Sequence, residues 1–132
     1  MAGTNAPFFP NIPAFTPAVS IAPADTTVNK ALRTVASSNG EILARLRATS
    51  TDTAAQTLQF TRTVSGVDYV IGESQVPAGA GTNGSTVWKD MLADINAGNP
   101  ITLAPGEVLK VRSKVTVTAA CAINITCEGV PL

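Results

Sequence analysis

Apolar and polar residues alternate at period two along most of this chain, and turn signals interrupt the alternation at roughly 8–12-residue intervals. Successive side chains of a strand point to opposite faces, so this pattern buries one face of a sheet and wets the other. A first candidate strand covers residues 28–38 (VNKALRTVASS), and Asn39-Gly40 behind it is a hairpin-type turn signal. EILARLRATST at 41–51 puts Ile42, Ala44, Leu46 and Ala48 on one face and Arg45 and Arg47 on the other. Leu, Ala and Arg also suit a helix, but the turn before this stretch and the threonines after it select a strand. AQTLQFTRTV at 55–64 sets Leu58, Phe60 and Val64 against Gln59, Thr61 and Thr63. Ser65-Gly66 turns the chain, and DYVIGESQV at 68–76 is a fourth strand, stopped by Pro77 and a glycine-rich loop.

The second half repeats the logic. A short strand at 101–103 and a Pro105-Gly106 turn precede EVLKVRSKVTVT at 107–118, where Leu109, Val111, Val115 and Val117 alternate with Lys110, Arg112, Lys114 and Thr116. CAINITCEGV at 121–130 turns Cys121, Ile123, Ile125 and Cys127 inward. One segment has helical spacing instead: in STVWKDMLADINA at 85–97, Trp88, Met91, Leu92 and Ile95 recur at i, i+3, i+4 and i+7. Ser85 is the expected N-cap and Gly98 the left-handed stop, with Pro100 beyond. Short strands with a single short helix predict an all-β chain, a β-sandwich or jelly roll with one short α-helix.

Ahead of these strands lies a different kind of sequence. Residues 1–24 contain five prolines and three phenylalanines but no charged side chain. Proline at this density opposes helix and sheet ladders and favours polyproline II, which at ~3.1 Å per residue extends about 70 Å. A domain of ~100 residues has a radius of gyration near ~13 Å, so such an arm can reach a neighbour. The predicted organisation is an extended N-terminal arm at residues 1–25 and one sandwich domain at 26–132. The arm's contact residues are expected to be Phe8, Phe9, Ile12, Phe15, Val19 and Ile21. A disordered tail is the alternative, but disordered segments are poor in such apolar side chains.

Composition narrows the function. Histidine is absent, which removes Ser-His and Cys-His nucleophile pairs and imidazole metal ligands. Nine basic side chains balance nine acidic ones, which argues against a dedicated nucleic-acid or anionic-membrane binder. The early segment has no basic n-region before an apolar stretch, so no export signal is expected, and its prolines forbid a spanning helix. Cys121 and Cys127, six residues apart in one apparent strand, are too far apart for a disulfide and are expected to be free thiols in the core.

The remaining motifs point away from chemistry. Gly79, Gly81 and Gly84 satisfy G-x-G-x-x-G, but Pro77 breaks the strand before it and no βαβ unit surrounds it, so no cofactor is expected. Asp90 and Asp94 lie one helical turn apart and read as a solvated face, and Asp68 and Glu73 lack a third partner for a metal. Tyr69 and Trp88 read as core or helix-packing residues. No catalytic, cofactor-binding or metal-ligating residue is predicted. Lys110, Arg112 and Lys114 form a basic stripe that Arg45 and Arg47 could join across the sheet, a possible contact face for an acidic protein surface.

These pieces together resemble a known group. Asn39-Gly40, Arg47-Ala48-Thr49, VPAGAGT at 76–82 and LAPGEVLKV at 103–111 make residues 28–130 similar to small virion proteins of tailed bacteriophages with jelly-roll or tumour-necrosis-factor-like sandwiches. The resemblance implies a head decoration or cement protein, made in the host cytoplasm and resident in the virion. It implies that the partners are the major capsid protein or another virion protein, with a trimer as the favoured homo-oligomer, and no nucleic acid or membrane. A tail, neck or fibre component, able to touch the host surface, is the second expectation. A carbohydrate-binding or cytokine-like sandwich would want an exposed aromatic or acidic cluster in its loops, where the sequence offers only Tyr69 and Trp88.

Overall fold

Two antiparallel sheets share one apolar core in the computed structural model, which describes residues 15–132. Nine strands occur among the described residues: β1 (Ala18–Ile21), β2 (Lys30–Thr34), β3 (Glu41–Ser50), β4 (Gln56–Val64), β5 (Val67–Val76), β6 (Lys89–Asp90), β7 (Ile101–Leu103), β8 (Val108–Ser113) and β9 (Ile123–Pro131). A single helical turn, α1 (Leu92–Ile95), and a 3-10 turn at Pro23–Asp25 complete the elements. One sheet runs β1-β9-β3, with β7 and β6 both on the far edge of β3, and the other runs β2-β8-β4-β5. The chain is therefore an all-β sandwich with one short helix, as the alternation predicts.

The core forms where the alternating faces meet. Leu58 and Phe60 of β4 and Leu109 and Val111 of β8 pack within the same buried cluster as Leu43 and Leu46 of β3 and Ile123 and Ile125 of β9. Each such side chain contributes about 1.5–3 kcal/mol by leaving water.

Several local expectations are corrected. The Asn39-Gly40 turn does not close a hairpin: β2 pairs with β8 and β3 with β9, so the turn hands the chain from one sheet to the other. Gly40 adopts φ +91°, and a Cβ there would stand 2.6 Å from the Leu103 carbonyl oxygen, so glycine is required. In β3 the pairing register with β9 shifts between Leu43 and Arg45, and this bulge reverses the phase of the alternation. Glu41 and Leu43 are buried before it and Leu46, Ala48 and Ser50 after it, so Ile42 and Ala44 do not share the inner face.

The helix is shorter than its spacing predicts. Lys89 and Asp90 pair with Ala48 and Arg47 of β3, and the Met91 N–H donates to the Leu46 carbonyl, so the edge of β3 draws the first half of the segment into strand. The Leu92 N–H donates to Asp90 Oδ1, while Ser85 bonds to Asn83 and caps nothing. Gly98 does end the turn, at φ +79° with its N–H on the Leu92 carbonyl. The 107–118 strand likewise stops at Ser113, whose hydroxyl donates to the Val115 carbonyl at 2.6 Å, a local bond that competes with the ladder. Val115 is thereby 64% exposed, although Val117 is buried. Cys121 precedes β9 instead of lying in it, and both cysteines are free.

Candidate functional site

The N-terminal segment is the first candidate surface, and the described part of it pairs with the sandwich of its own chain. Phe8, Phe9 and Ile12 fall outside the described residues. Val19 and Ile21 belong to β1, which pairs antiparallel with β9 from Ala18↔Thr126 to Ile21↔Ile123. Ile21 is only 1% exposed, and Val19 packs against the same core, so the sandwich includes residues that the sequence assigns to the arm. The four residues 18–21 lie between Pro17 and Pro23 and contain no proline, which leaves their N–H groups free for an edge ladder.

Phe15 marks where this attachment begins. It exchanges two backbone hydrogen bonds with Gly129 (3.0 and 3.1 Å), and the Cys127 N–H donates to the Pro17 carbonyl at 3.0 Å. Its ring lies 4.1 Å from the Arg33 guanidinium carbon, so the negative ring face meets a cation. Arg33 is held in turn by Glu41, through Nε to Oε2 at 2.7 Å and Nη2 to Oε1 at 2.5 Å. Glu41 is 1% exposed, and the Arg33 hydrogen bonds outweigh burial to hold its carboxyl below the usual range. A Cβ at position 129 would collide with the Ile42 carbonyl and the Phe15 ring, so only glycine admits the crossing. Sequence reasoning missed Arg33, Glu41 and Gly129, although a glycine inside an alternating strand is a sign of close approach.

A second brace ties β1 to β2. Lys30 Nζ donates to the Ser20 carbonyl at 2.6 Å and to Asp25 at 3.1 Å. The Ala22 N–H and Lys30 together hold the Asp25 carboxyl below its ordinary value.

The basic stripe is divided and neutralised. Lys110 and Arg112 lie on β8, whereas Arg45 and Arg47 lie on β3 in the other sheet, so the five cations do not form one face. Lys110 pairs with Asp68 (3.3 Å), Lys114 with Glu73 (2.8 Å), and Arg112 Nε donates to Gln59 Oε1 (2.8 Å). Arg47 and Arg45 approach Glu128 at 3.2 and 3.9 Å. The Thr63 hydroxyl and then Lys110 hold the Asp68 carboxyl low, and Lys114 does so for Glu73. The carboxylates that the sequence leaves without partners therefore spend their charge on this stripe.

The loop ends converge on Asp52, which is 1% exposed. Its Oδ1 accepts from the Thr118 hydroxyl (2.6 Å) and the Ala54 N–H (2.9 Å), and its Oδ2 from the Thr118 N–H (3.0 Å) and Gln56 Nε2 (2.9 Å). Burial pushes this carboxyl up, but the four bonds outweigh it and hold the pKa well below the usual carboxylate range. The Asp52 carbonyl also accepts from Gly79, which ties in the glycine-rich loop. Gly79, Gly81 and Gly84 all have positive φ, and this loop leads into β6 instead of a helix, so the strand-turn-helix of a dinucleotide site is not formed.

Asp90 and Asp94 do separate work: Asp94 accepts from the Ser74 hydroxyl (2.7 Å) and pairs with Lys89 (2.9 Å), while Asp90 caps Leu92. Tyr69 and Trp88 are not core residues, being 54% and 43% exposed. Val67 and Tyr69 follow the Ser65-Gly66 turn at the start of β5, and Trp88 stands just before β6. Among the described residues no cluster of three or more acidic or cysteine side chains could hold a metal, and no helix is long and apolar enough to cross a membrane. Cys127 is buried, which pushes its thiol up to about 12. No protein-family model matches the chain, and no curated protein is significantly similar to it.

Proposed function

We propose that this chain is a non-enzymatic structural protein of a virus particle, a decoration protein that binds the assembled capsid and stabilises it. The observation that carries this reading is the anchorage at Phe15. A strand paired along β9, a ring on Arg33 and a glycine crossing fix the point from which residues 1–14, with Phe8, Phe9 and Ile12, continue. Proline lowers the entropy lost when such a segment docks, and a firm root lets a docked segment hold the whole domain.

The strand order supports the same reading. Each sheet draws strands from both halves of the chain, as β1-β9-β3-β7 and β2-β8-β4-β5, an interleaving that fits the two Greek keys of a jelly roll, an architecture common in viral shells. Cations paired with local carboxylates leave an electrically quiet surface that tolerates dense arrays of copies. The proposed partners are the capsid protein and further copies of the chain, as a trimer. A protein that binds only the assembled shell stabilises it by mass action.

The test is co-sedimentation with particles of the virus whose genome carries this chain, using the full chain and a form lacking residues 1–14. The full chain is expected to saturate the particles and the shortened form to stay in solution. Equal saturation by both rejects the anchored-arm reading.

A further inference from the structure

We infer that the open start of β5, residues 67–70, is the receptor for residues 1–14 of a neighbouring copy of this chain, so that copies join head to tail; this rests on the proposed role of the arm and names the surface it meets. β5 is an edge strand, and α1 covers only its second half. A Cβ at Gly72 would lie 3.1 Å from Ile95, and the Ser74 hydroxyl donates to Asp94 at 2.7 Å, so the strand is closed over from Gly72 onward. Before that point Val67, Tyr69 and Val70 are 50%, 54% and 59% exposed. Alternation puts Val67 and Tyr69 on one face and Val70 on the other, so this stretch presents apolar surface on both faces.

Charge and chemistry select the occupant. Exposed edges are commonly protected by lysine or proline, and residues 67–70 contain neither. Their one charge, Asp68, accepts the Thr63 hydroxyl and pairs with Lys110, which leaves the patch neutral. The β1 edge, by contrast, is plugged by Lys30 on the Ser20 carbonyl, and the exposed Trp88 ring is already met by Arg47. Residues 1–14 carry no charged side chain and bring Phe8, Phe9 and Ile12 between Pro7, Pro10 and Pro13. Proline-rich segments dock on aromatic side chains at low entropic cost, and Tyr69 supplies such a ring.

Strand register places the donor and the receptor on opposite edges of one sheet. Arg33 opposes Leu109, Leu109 opposes Arg62, and Arg62 opposes Tyr69, so the four form one row across β2-β8-β4-β5. Phe15 lies on Arg33 at one end of this row, and Tyr69 is the other end. At ~4.8 Å per strand the two ends are about 14 Å apart. Phe8 and Phe9 precede Phe15 by seven and six residues. At the ~3.1 Å per residue of polyproline II they reach about 20 Å beyond it, farther than the width of their own sheet. An arm on one edge and its receptor on the other make a head-to-tail contact, which closes into a ring such as the proposed trimer.

Analytical ultracentrifugation of the full chain, without particles, is expected to give about three times the 13.5 kDa mass of one copy. Deletion of residues 1–14, or Tyr69→Lys at its exposed position, is expected to leave single copies whose fold circular dichroism checks. Val28→Lys, equally exposed but away from β5, is expected to leave assembly unchanged. Mixing the two deficient forms is decisive: one keeps the arm and the other the receptor, so they pair one to one. A full chain that stays single, assembly that survives Tyr69→Lys, deficient forms that do not pair, or equal loss with Val28→Lys overturns the inference. All of these are read without particles, so such a failure leaves capsid docking to be decided separately by co-sedimentation.

Discussion

Removing the Asp52 carboxylate is the sharpest test of how the loops are held. Four donors converge on it: the Thr118 hydroxyl and N–H, the Ala54 N–H and Gln56 Nε2. A hydrogen bond to a charged group contributes about 1.5–3 kcal/mol, and such bonds around one acceptor are not additive. Asp52→Ala leaves all four donors without an acceptor and is expected to cost about 4 kcal/mol. Asp52→Asn keeps one oxygen for Ala54 and the Thr118 hydroxyl, and Gln56 can turn its own carbonyl to the new amide, so about 2 kcal/mol is expected. Urea unfolding followed by circular dichroism reads this directly, since at a slope of ~2 kcal/mol per molar the Ala variant shifts the midpoint by about 2 M. Folding lowers this carboxyl's pKa, so the native state binds fewer protons than the unfolded chain. Its stabilisation is complete above the unfolded value of about 3.9 and is lost as pH falls toward the lower native value. The Asn variant should therefore show a shallower acid limb. An Ala variant within about 1 kcal/mol of the parent, or an Asn variant that costs more than Ala, refutes the reasoning.

Three further outcomes follow from the same geometry. Gly129→Ala places a methyl group against the Ile42 carbonyl and the Phe15 ring and is expected to cost about 2–3 kcal/mol in urea unfolding, whereas alanine at exposed Gly84, where a Cβ meets nothing but φ is +79°, should cost only about 1–2 kcal/mol, the strain of a left-handed backbone. Cys127, with its thiol raised to about 12, should resist a maleimide in the native state and react only on unfolding, while Cys121 reacts first; rapid native labelling of Cys127 contradicts its burial. Removing residues 1–24 strips β1 and buried Ile21 from the sheet and should lower stability by about 3 kcal/mol or more, whereas removing 1–14 leaves both in place; equal unfolding midpoints for the two deletions contradict the position of β1.

Strands with an unbroken rhythm were legible in the sequence. In β9, Ile123, Ile125 and Cys127 face the core because nothing interrupts the alternation, whereas in β4 Leu58 and Phe60 face it as expected but Thr61 is buried beside Phe60, where the pairing with β5 shifts register. β3 was read with the wrong phase in its first half because a bulge shifts every earlier side chain to the other face, and a bulge depends on the partner strand. The helix over 85–97 was overextended because helical spacing says nothing of the edge of β3 that captures Lys89 and Asp90. Proline density hid the proline-free gap between Pro17 and Pro23 in which β1 forms. At the sites, Arg33–Glu41 is separated by only eight residues but crosses between sheets, and Lys110–Asp68 spans 42, so neither pair is visible before the strands are placed.

Electron cryomicroscopy of intact particles measures the proposed role most directly. The account predicts this sandwich repeated over the head surface in many symmetry-related copies, with the segment before Phe15 leaving the β9 edge to touch a neighbouring chain. A few copies confined to the tail or one vertex, or particles that lack the chain altogether, contradict it.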